Sequence, residues 1–171
     1  MVMIRNLASR ASVIGFIGML VSSGHAEPMR GTLVSPVSPA CISSPFGPRN
    51  VNGPRASRVH NGMDLPAPAG AWVRAIAAGE VIGIRRRDAR GLEVIVKHGE
   101  SWTVRYAHLG AVAPGLASGR RAVASGETIG RVGRTGITYG THLHLEMTVN
   151  GVLVDPALYF SFKRCGQSAV G

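Results

Sequence analysis

The sequence is poor in aromatic residues and lacks long apolar runs, and each shortage argues against a class of protein. Aromatic side chains make up 5% of its 171 residues, which is few for the stacking platforms that bind single-stranded nucleic acid. Helix-turn-helix, zinc-finger and RNA-binding motifs are missing too, so a DNA- or RNA-binding role ranks last and we expect no nucleic-acid partner. No apolar run reaches the roughly 20 residues of a spanning helix, so we expect no stable membrane insertion.

Acidic residues are also scarce. Lys and Arg total 19 against 9 Asp and Glu, which gives a formal net charge of +10. Such a charge favours polyanionic surroundings, for example a carboxylate-rich cell-wall polymer. The densest basic run, residues 85–87 with Arg90, is expected in a hairpin connection.

The first 26 residues have the layout of a secretory signal peptide. Arg5 and Arg10 precede an apolar run at 11–21, and small residues then lead to Ala26, after which we expect cleavage. An uncleaved anchor is the alternative. The prediction is therefore a secreted or periplasmic protein.

Only two cysteines are present. Export would place Cys41 and Cys165 in an oxidising compartment, which favours a disulfide between them over two buried free thiols. Their spacing indicates no metal site.

Helical periodicity is missing from the chain beyond the leader, where short apolar or alternating segments are separated by glycines. We predict strands at 72–77, 80–85, 92–97, 102–108, 128–132 and 142–149. Asp155-Pro156 is the best helix start, for one short turn. The fold class is thus all-β with minimal helix. We divide the chain into a Pro-rich N-terminal arm (27–43), one small domain (44–162) and a tail with Cys165 (163–171).

Two polar clusters can carry chemistry. In "HNGMD", His60 and Asp64 are four residues apart in a segment that Gly62 makes extended or looped. In "HLHLE", alternation places His142 and His144 on one face of a strand. A carboxylate and histidines from distant segments form a plausible three-ligand zinc set with the fourth position left for water. Each cluster alone is equally compatible with a surface turn or a solvated strand face.

An ordered series of motifs resembles the LytM or lysostaphin type of zinc metallopeptidase, peptidase family M23, over roughly residues 44–160. The series is "SPFGPR", "HNGMDLPAPAG", "VRAIAAGEV", "VIVKHG", "YAHL", "GRTGITYGTHLHLE" and "VDP". The resemblance implies a small all-β domain whose antiparallel sheet floors a substrate groove.

The resemblance also implies residue roles. Zn²⁺ would be held by His60, Asp64 and His144, whereas His108 of "YAHL" and His142 would be the catalytic histidines. One of these two would take a proton from the attacking water and the pair would stabilise the developing oxyanion. Which of the two is the base stays open at this point.

Five other residues are given lesser roles. Tyr106 and Asn61 are expected in the groove, and His98 in a structural turn. Glu146 is either a partner for a histidine or an exposed strand carboxylate. Tyr139 departs from the family pattern and would place a bulky ring beside the site.

The function implied is a zinc endopeptidase that hydrolyses cross-links or stem peptides of bacterial peptidoglycan. The oligomeric state is left open, with a monomer favoured. The alternatives are a module of the same fold that binds wall or activates an amidase without cutting, and a hedgehog-type D-alanyl-D-alanine peptidase, whose Glu-x-x-His segment is missing here. The scissile bond, D-alanyl–diaminopimelate or Gly-Gly, is left open, as is capping of the site by an inhibitor or by the N-terminal arm.

Overall fold

The computed structural model describes residues 32–49 and 57–167. Its strands are β1 (Gly47–Pro48), β2 (Val59–His60), β3 (Met63–Pro66), β4 (Trp72–Arg74), β5 (Gly79–Arg87), β6 (Gly91–His98), β7 (Trp102–Val112), β8 (Ala122–Val123), β9 (Thr128–Val132), β10 (His142–Val149) and β11 (Val152–Val154). The helices of this part of the chain are α1 (Pro114–Ala117) and a 3₁₀ helix (Pro156–Tyr159). Neither has the length to cross a membrane.

The prediction of an all-β fold with minimal helix is confirmed. All six predicted strands exist, although β4 ends at Arg74 and β5 extends to Arg87. The short turn predicted after Asp155 is the 3₁₀ helix, and the Asp155 side chain caps it by accepting a hydrogen bond from the Ala157 N–H. The basic run was placed wrongly in part, because 85–87 belong to β5 and only Arg90 lies in the following turn.

One nine-stranded antiparallel sheet forms the body of the protein. Its order is β11-β10-β7-β6-β5-β8, with β3 paired to β10 and β9 paired to both β4 and β7. The strand β10 therefore lies between β3, which carries Asp64, and β7, which carries His108. This topology brings together three segments that are far apart in sequence.

The two faces of β10 are divided as the alternation predicts. Leu143, Leu145 and Met147 are 0% exposed and belong to the hydrophobic core cluster of the described residues. Burying each such side chain contributes about 1.5–3 kcal/mol, so the register of β10 is strongly fixed. The register in turn sets the histidines of the other face.

The described part of the N-terminal arm packs onto the domain. Val37 is fully buried, and the predicted disulfide between Cys41 and Cys165 is present. Next to it the Ile42 N–H donates to the Lys163 carbonyl at 2.9 Å. The arm is thus fastened to the C-terminal tail. The domain boundaries stay predictions, and the signal peptide expected at 1–26 lies outside the described residues.

Candidate metal centre and active site

Three donor atoms converge where β2, β3 and β10 meet. His60 Nε2 and His144 Nδ1 lie 3.1 Å and 2.9 Å from Asp64 Oδ1, and 3.1 Å from each other. Asp64 is paired directly with His144 in the β3–β10 register. His60 reaches the same point because Gly62 lets the chain approach β10: a Cβ there would collide with the Leu145 carbonyl and lie 2.9 Å from His144 Cε1.

This donor set fits a zinc ion. Bonds of about 2.0–2.2 Å in a tetrahedral site imply donor–donor distances of about 3.3 Å, close to the 2.9–3.1 Å found here. Nitrogen and carboxylate oxygen are also ligands that zinc prefers. The three residues predicted as ligands are therefore positioned to bind a metal ion.

Neighbouring polar groups orient the two histidines of the donor set. The Pro45 carbonyl lies 2.7 Å from His60 Nδ1; since a carbonyl only accepts, Nδ1 carries the proton and Nε2 keeps its lone pair. His144 is oriented the other way, with Nε2 at 3.9 Å from Glu146 Oε2 and Nδ1 towards Asp64. Such outer partners set the tautomer and the ring orientation of metal ligands.

The charge on Asp64 is stabilised by its neighbours. Burial alone would raise the pKa of this carboxyl, but the hydrogen bond that His144 donates and the proximity of the His60 and His142 rings hold it well below its usual range. The pKa of His144 is raised despite its burial, because Asp64 and Glu146 favour the protonated ring. Metal binding here must therefore displace a proton.

His108 and His142 stand together beside the donor set. Their ring centroids are 4.8 Å apart, and His142 Nε2 lies 3.5 Å from Asp64 Oδ1. Each Nδ1 donates to a backbone carbonyl, that of Thr135 at 2.8 Å and that of Gly140 at 3.0 Å. Each Nε2 is thereby left with a lone pair that can accept a proton.

Burial keeps both rings neutral. It lowers the pKa of His108 to about 4 and lowers that of His142, where the Asp64 charge opposes it. Neutral imidazoles with an available Nε2 have the protonation state that a general base requires. The structure brings together all five residues predicted for the site, and the division of roles between His108 and His142 stays a prediction.

His108 also has an unusual backbone. Its φ is 61°, a left-handed conformation that costs of order 1–3 kcal/mol for a residue other than glycine. It lies in β7 just before the irregularity in the pairing to β9, which falls between Leu109 and Ala111, and its N–H donates to the Arg90 carbonyl at 3.0 Å. Thr135 supports this geometry, because its hydroxyl accepts from the Leu92 N–H and donates to the Leu109 carbonyl, both at 2.8 Å.

The site lies in an open groove. Its walls comprise Ser43, Ser44, Arg49, Ser57, Val59, Asn61, Pro66, Ala89, Arg90, Ile137, Thr138, Tyr139, Gly140 and Thr141 in addition to the four buried or half-buried histidines and Asp64. Asn61 and Tyr139 are placed as expected, and the Tyr139 ring is 65% exposed at the rim. The expectation for Tyr106 is wrong: it is fully buried, and its hydroxyl accepts a hydrogen bond from the Ile76 N–H.

Glu146 is a buried partner of the metal centre, so the exposed alternative is wrong. It is 6% exposed, faces His144, and accepts hydrogen bonds from Arg90 at 2.7 Å and from Arg105. Burial alone would raise its pKa, but His144 and the two guanidinium groups lower it to about 2. His98 is structural as expected, with Nδ1 donating to the Ala78 carbonyl at 2.9 Å.

Sequence reasoning missed three residues of the site, namely Arg49, Arg90 and Thr135. Arg49 Nη1 donates to Ser44 Oγ and lies 3.8 Å from Asp64 Oδ2. Both Arg49 and Thr135 lie inside the quoted motifs "SPFGPR" and "GRTGITYGTHLHLE", which was the available signal. Arg90 lies outside them.

Comparisons with known proteins point to one family. A family model described as peptidase family M23 matches residues 58–156. The DD-carboxypeptidase/endopeptidase Mpg of Neisseria meningitidis is 40% identical over 126 residues, 74% of this chain and 28% of Mpg. The peptidoglycan DD-endopeptidase ShyA of Vibrio cholerae is 38% identical over 112 residues, 64% of this chain and 25% of ShyA.

Solved structures agree. A zinc-containing peptidase from Vibrio cholerae is 30% identical with a TM-score of 0.61, and the match covers 77% of this chain and 39% of that one. The chain thus spans well under half the length of each of these three proteins.

Proposed function

Because the chain belongs to peptidase family M23, as its motifs predicted, we propose that it is a zinc-dependent endopeptidase that hydrolyses peptide bonds of bacterial peptidoglycan. The observation that carries the proposal is that the ligand atoms of His60, Asp64 and His144 are spaced as in a zinc site. Two neutral histidines lie beside them in an open groove. Zinc at this position would acidify a water molecule and polarise the peptide carbonyl.

The two neighbouring histidines handle protons and charge. The Nε2 atom of either His108 or His142 accepts the proton of the attacking water. General-base catalysis of this kind typically raises the reaction rate by a factor of about 10²–10⁴. The ring that takes this proton then carries an Nε2–H, which can donate a hydrogen bond to the carbonyl oxygen as negative charge develops there. Both rings are held by backbone carbonyls, so little reorganisation is needed during the reaction.

The scissile bond is proposed to be the D-alanyl–diaminopimelate cross-link rather than Gly-Gly. The support comes from Mpg and ShyA, whose names describe DD-endopeptidases. The hedgehog-type alternative loses its basis, since the family model of M23 covers all the proposed ligands.

The location is proposed to be outside the cytoplasm, secreted or periplasmic, with the protein acting as a monomer. The proposal is supported by the leader-like N-terminal sequence, the disulfide and relatives named for peptidoglycan. N-terminal sequencing of the exported protein should begin at Glu27; an intact Met1 would contradict cleavage.

The test of activity is digestion of purified cross-linked muropeptides by the zinc-loaded protein, with the products identified by mass spectrometry. We expect cross-linked dimers to give monomers with D-alanine at the new carboxyl end. A proven muropeptide endopeptidase serves as positive control, and bound zinc is measured in the same sample. No product under these conditions would overturn the proposal.

A non-cutting wall-binding or amidase-activating module is separated from an enzyme by His142→Ala. A regulator should keep its effect in this variant. An enzyme should lose turnover while it retains zinc.

A further inference from the structure

Arg90 occupies a particular position in the groove. It lies in the turn between β5 and β6, and its backbone carbonyl accepts the His108 N–H at 3.0 Å. Its Nη2 donates to Glu146 Oε2 at 2.7 Å, and that oxygen lies 3.9 Å from His144 Nε2. Arg90 is therefore held both to the backbone of a proposed catalytic histidine and to the partner of a proposed metal ligand.

The ion pairs around Arg90 leave positive charge in excess. Glu146 is shared with Arg105, and the fully buried Glu93 lies 3.3 Å from Arg105 Nε and 3.6 Å from Arg87 Nε. Three guanidinium groups thus face two carboxylates. Arg90 is the member of this network that lines the groove, with 32% of its side chain exposed.

The groove has little negative charge to compensate it. Among its described lining residues Asp64 is the one carboxylate, and it is committed to the metal. Arg49, the other guanidinium of the groove, is engaged by Ser57 O and Ser44 Oγ at 2.9 and 3.1 Å. The Arg90 guanidinium has five N–H donors, and within the described residues it uses Nη2 alone for a hydrogen bond.

We propose that Arg90 binds a free carboxylate of the substrate on the residue next to the scissile bond. The inference rests on the proposed function. In a D-alanyl–diaminopimelate link, the carbon attached to the scissile nitrogen carries such a carboxylate. The planar guanidinium matches a carboxylate in shape and charge, and Glu146 holds it in place so that less side-chain entropy is lost on binding.

The experiment compares two synthetic cross-link peptides that differ only in this group, a carboxylate in one and a carboxamide in the other. Dissociation constants are measured with the full chain, zinc-loaded and carrying His142→Ala so that no turnover occurs. The kcat/KM values for the two peptides, and their ratio, are measured with protein that keeps His142. Arg90→Gln removes the charge and Arg90→Lys keeps it without the fork; Arg121→Gln, an exposed site outside the groove, is the matched control.

We expect the carboxylate peptide to bind about 10- to 100-fold more tightly. Arg90→Gln should abolish this preference, Arg90→Lys should retain part of it, and Arg121→Gln should leave it unchanged. The ratio is internal to each variant, so a loss of zinc in part of the sample does not mimic the result.

Two outcomes would overturn the inference: no carboxylate preference in the unaltered protein, or a preference that persists in Arg90→Gln. An equal loss for both peptides would assign Arg90 to positioning Glu146 alone, which also overturns it. Cleavage of both peptides without preference refutes the inference and leaves the proposed function standing. Absence of cleavage refutes the proposed function, while the dissociation constants still decide the role of Arg90.

Discussion

Thr135→Val tests whether the loop before β10 positions His108. The substitution keeps the side-chain volume and removes the hydroxyl, which bridges the Leu92 N–H and the Leu109 carbonyl at 2.8 Å each. These bonds are half-buried, so each backbone group left without its partner should cost about 1–2 kcal/mol, towards the lower end of the range for unsatisfied groups. The expected loss in the free energy of unfolding is therefore about 2–4 kcal/mol.

The same change should affect catalysis. The Thr135 carbonyl accepts a hydrogen bond from His108 Nδ1 at 2.8 Å. A shift of the loop therefore moves the His108 ring. A displacement of about 1 Å can cost as much as 10²-fold in rate, and we expect kcat for muropeptide cleavage to fall at least about 10-fold with zinc content unchanged.

The assays are urea denaturation, metal analysis and product formation measured well below the unfolding transition. Thr135→Ser retains the hydroxyl and is the matched control; it should restore most of both losses. Stability and kcat that are unaltered in Thr135→Val would refute the reasoning, as would a Thr135→Ser variant as impaired as Thr135→Val.

Three other predictions concern the metal centre and the scaffold. His144→Ala should lose zinc, whereas His142→Ala should retain it and lose about 10²–10⁴-fold in kcat; metal analysis beside cleavage assays decides, and equal zinc loss in both would contradict the division of roles. Replacing Cys41 and Cys165 by Ser should lower the free energy of unfolding by about 5 kcal/mol on the chain-entropy model, since the residues are 124 apart. The denaturation midpoint of the variant should then equal that of the reduced unaltered protein. A midpoint equal to that of the oxidised protein would contradict the prediction. Glu93→Gln should cost about 1–3 kcal/mol in urea unfolding, because it removes the buried negative charge beside Arg105 and Arg87 while Arg105 keeps its pair with Glu146; no measurable change would show that the pairs contribute little.

Local pattern was sufficient for much of the fold. The glycine-bounded segments predicted six strands, and alternation along 142–149 predicted which side chains of β10 face the core. Both depend on the period of two that any strand has, so no knowledge of neighbouring strands was needed. The proposed ligands and the proposed catalytic histidines came from motif order, and the structure places all five residues together.

The predictions that failed concern residues whose role depends on the tertiary structure around them. Glu146 was equally compatible with an exposed position until β7 and the β5–β6 turn brought Arg105 and Arg90 against it. Tyr106 and His108 are two apart in β7, so a regular period of two would place them on one face. The left-handed backbone of His108 breaks that alternation, and the Tyr106 ring lies in the core, where burial raises the pKa of its hydroxyl.

The sequence by itself determined the strands and the faces of β10, because these follow from short-range periodicity, and its motif order, through the family resemblance, indicated which residues hold a metal. The tertiary structure decided which nitrogen of each histidine faces the metal, why His108 and His142 are neutral, and which arginine reaches the groove. Several of those properties are set by groups that are distant in sequence, such as the Pro45 carbonyl beside His60 and the Thr135 carbonyl beside His108, and only the tertiary packing brings these groups within hydrogen-bond distance.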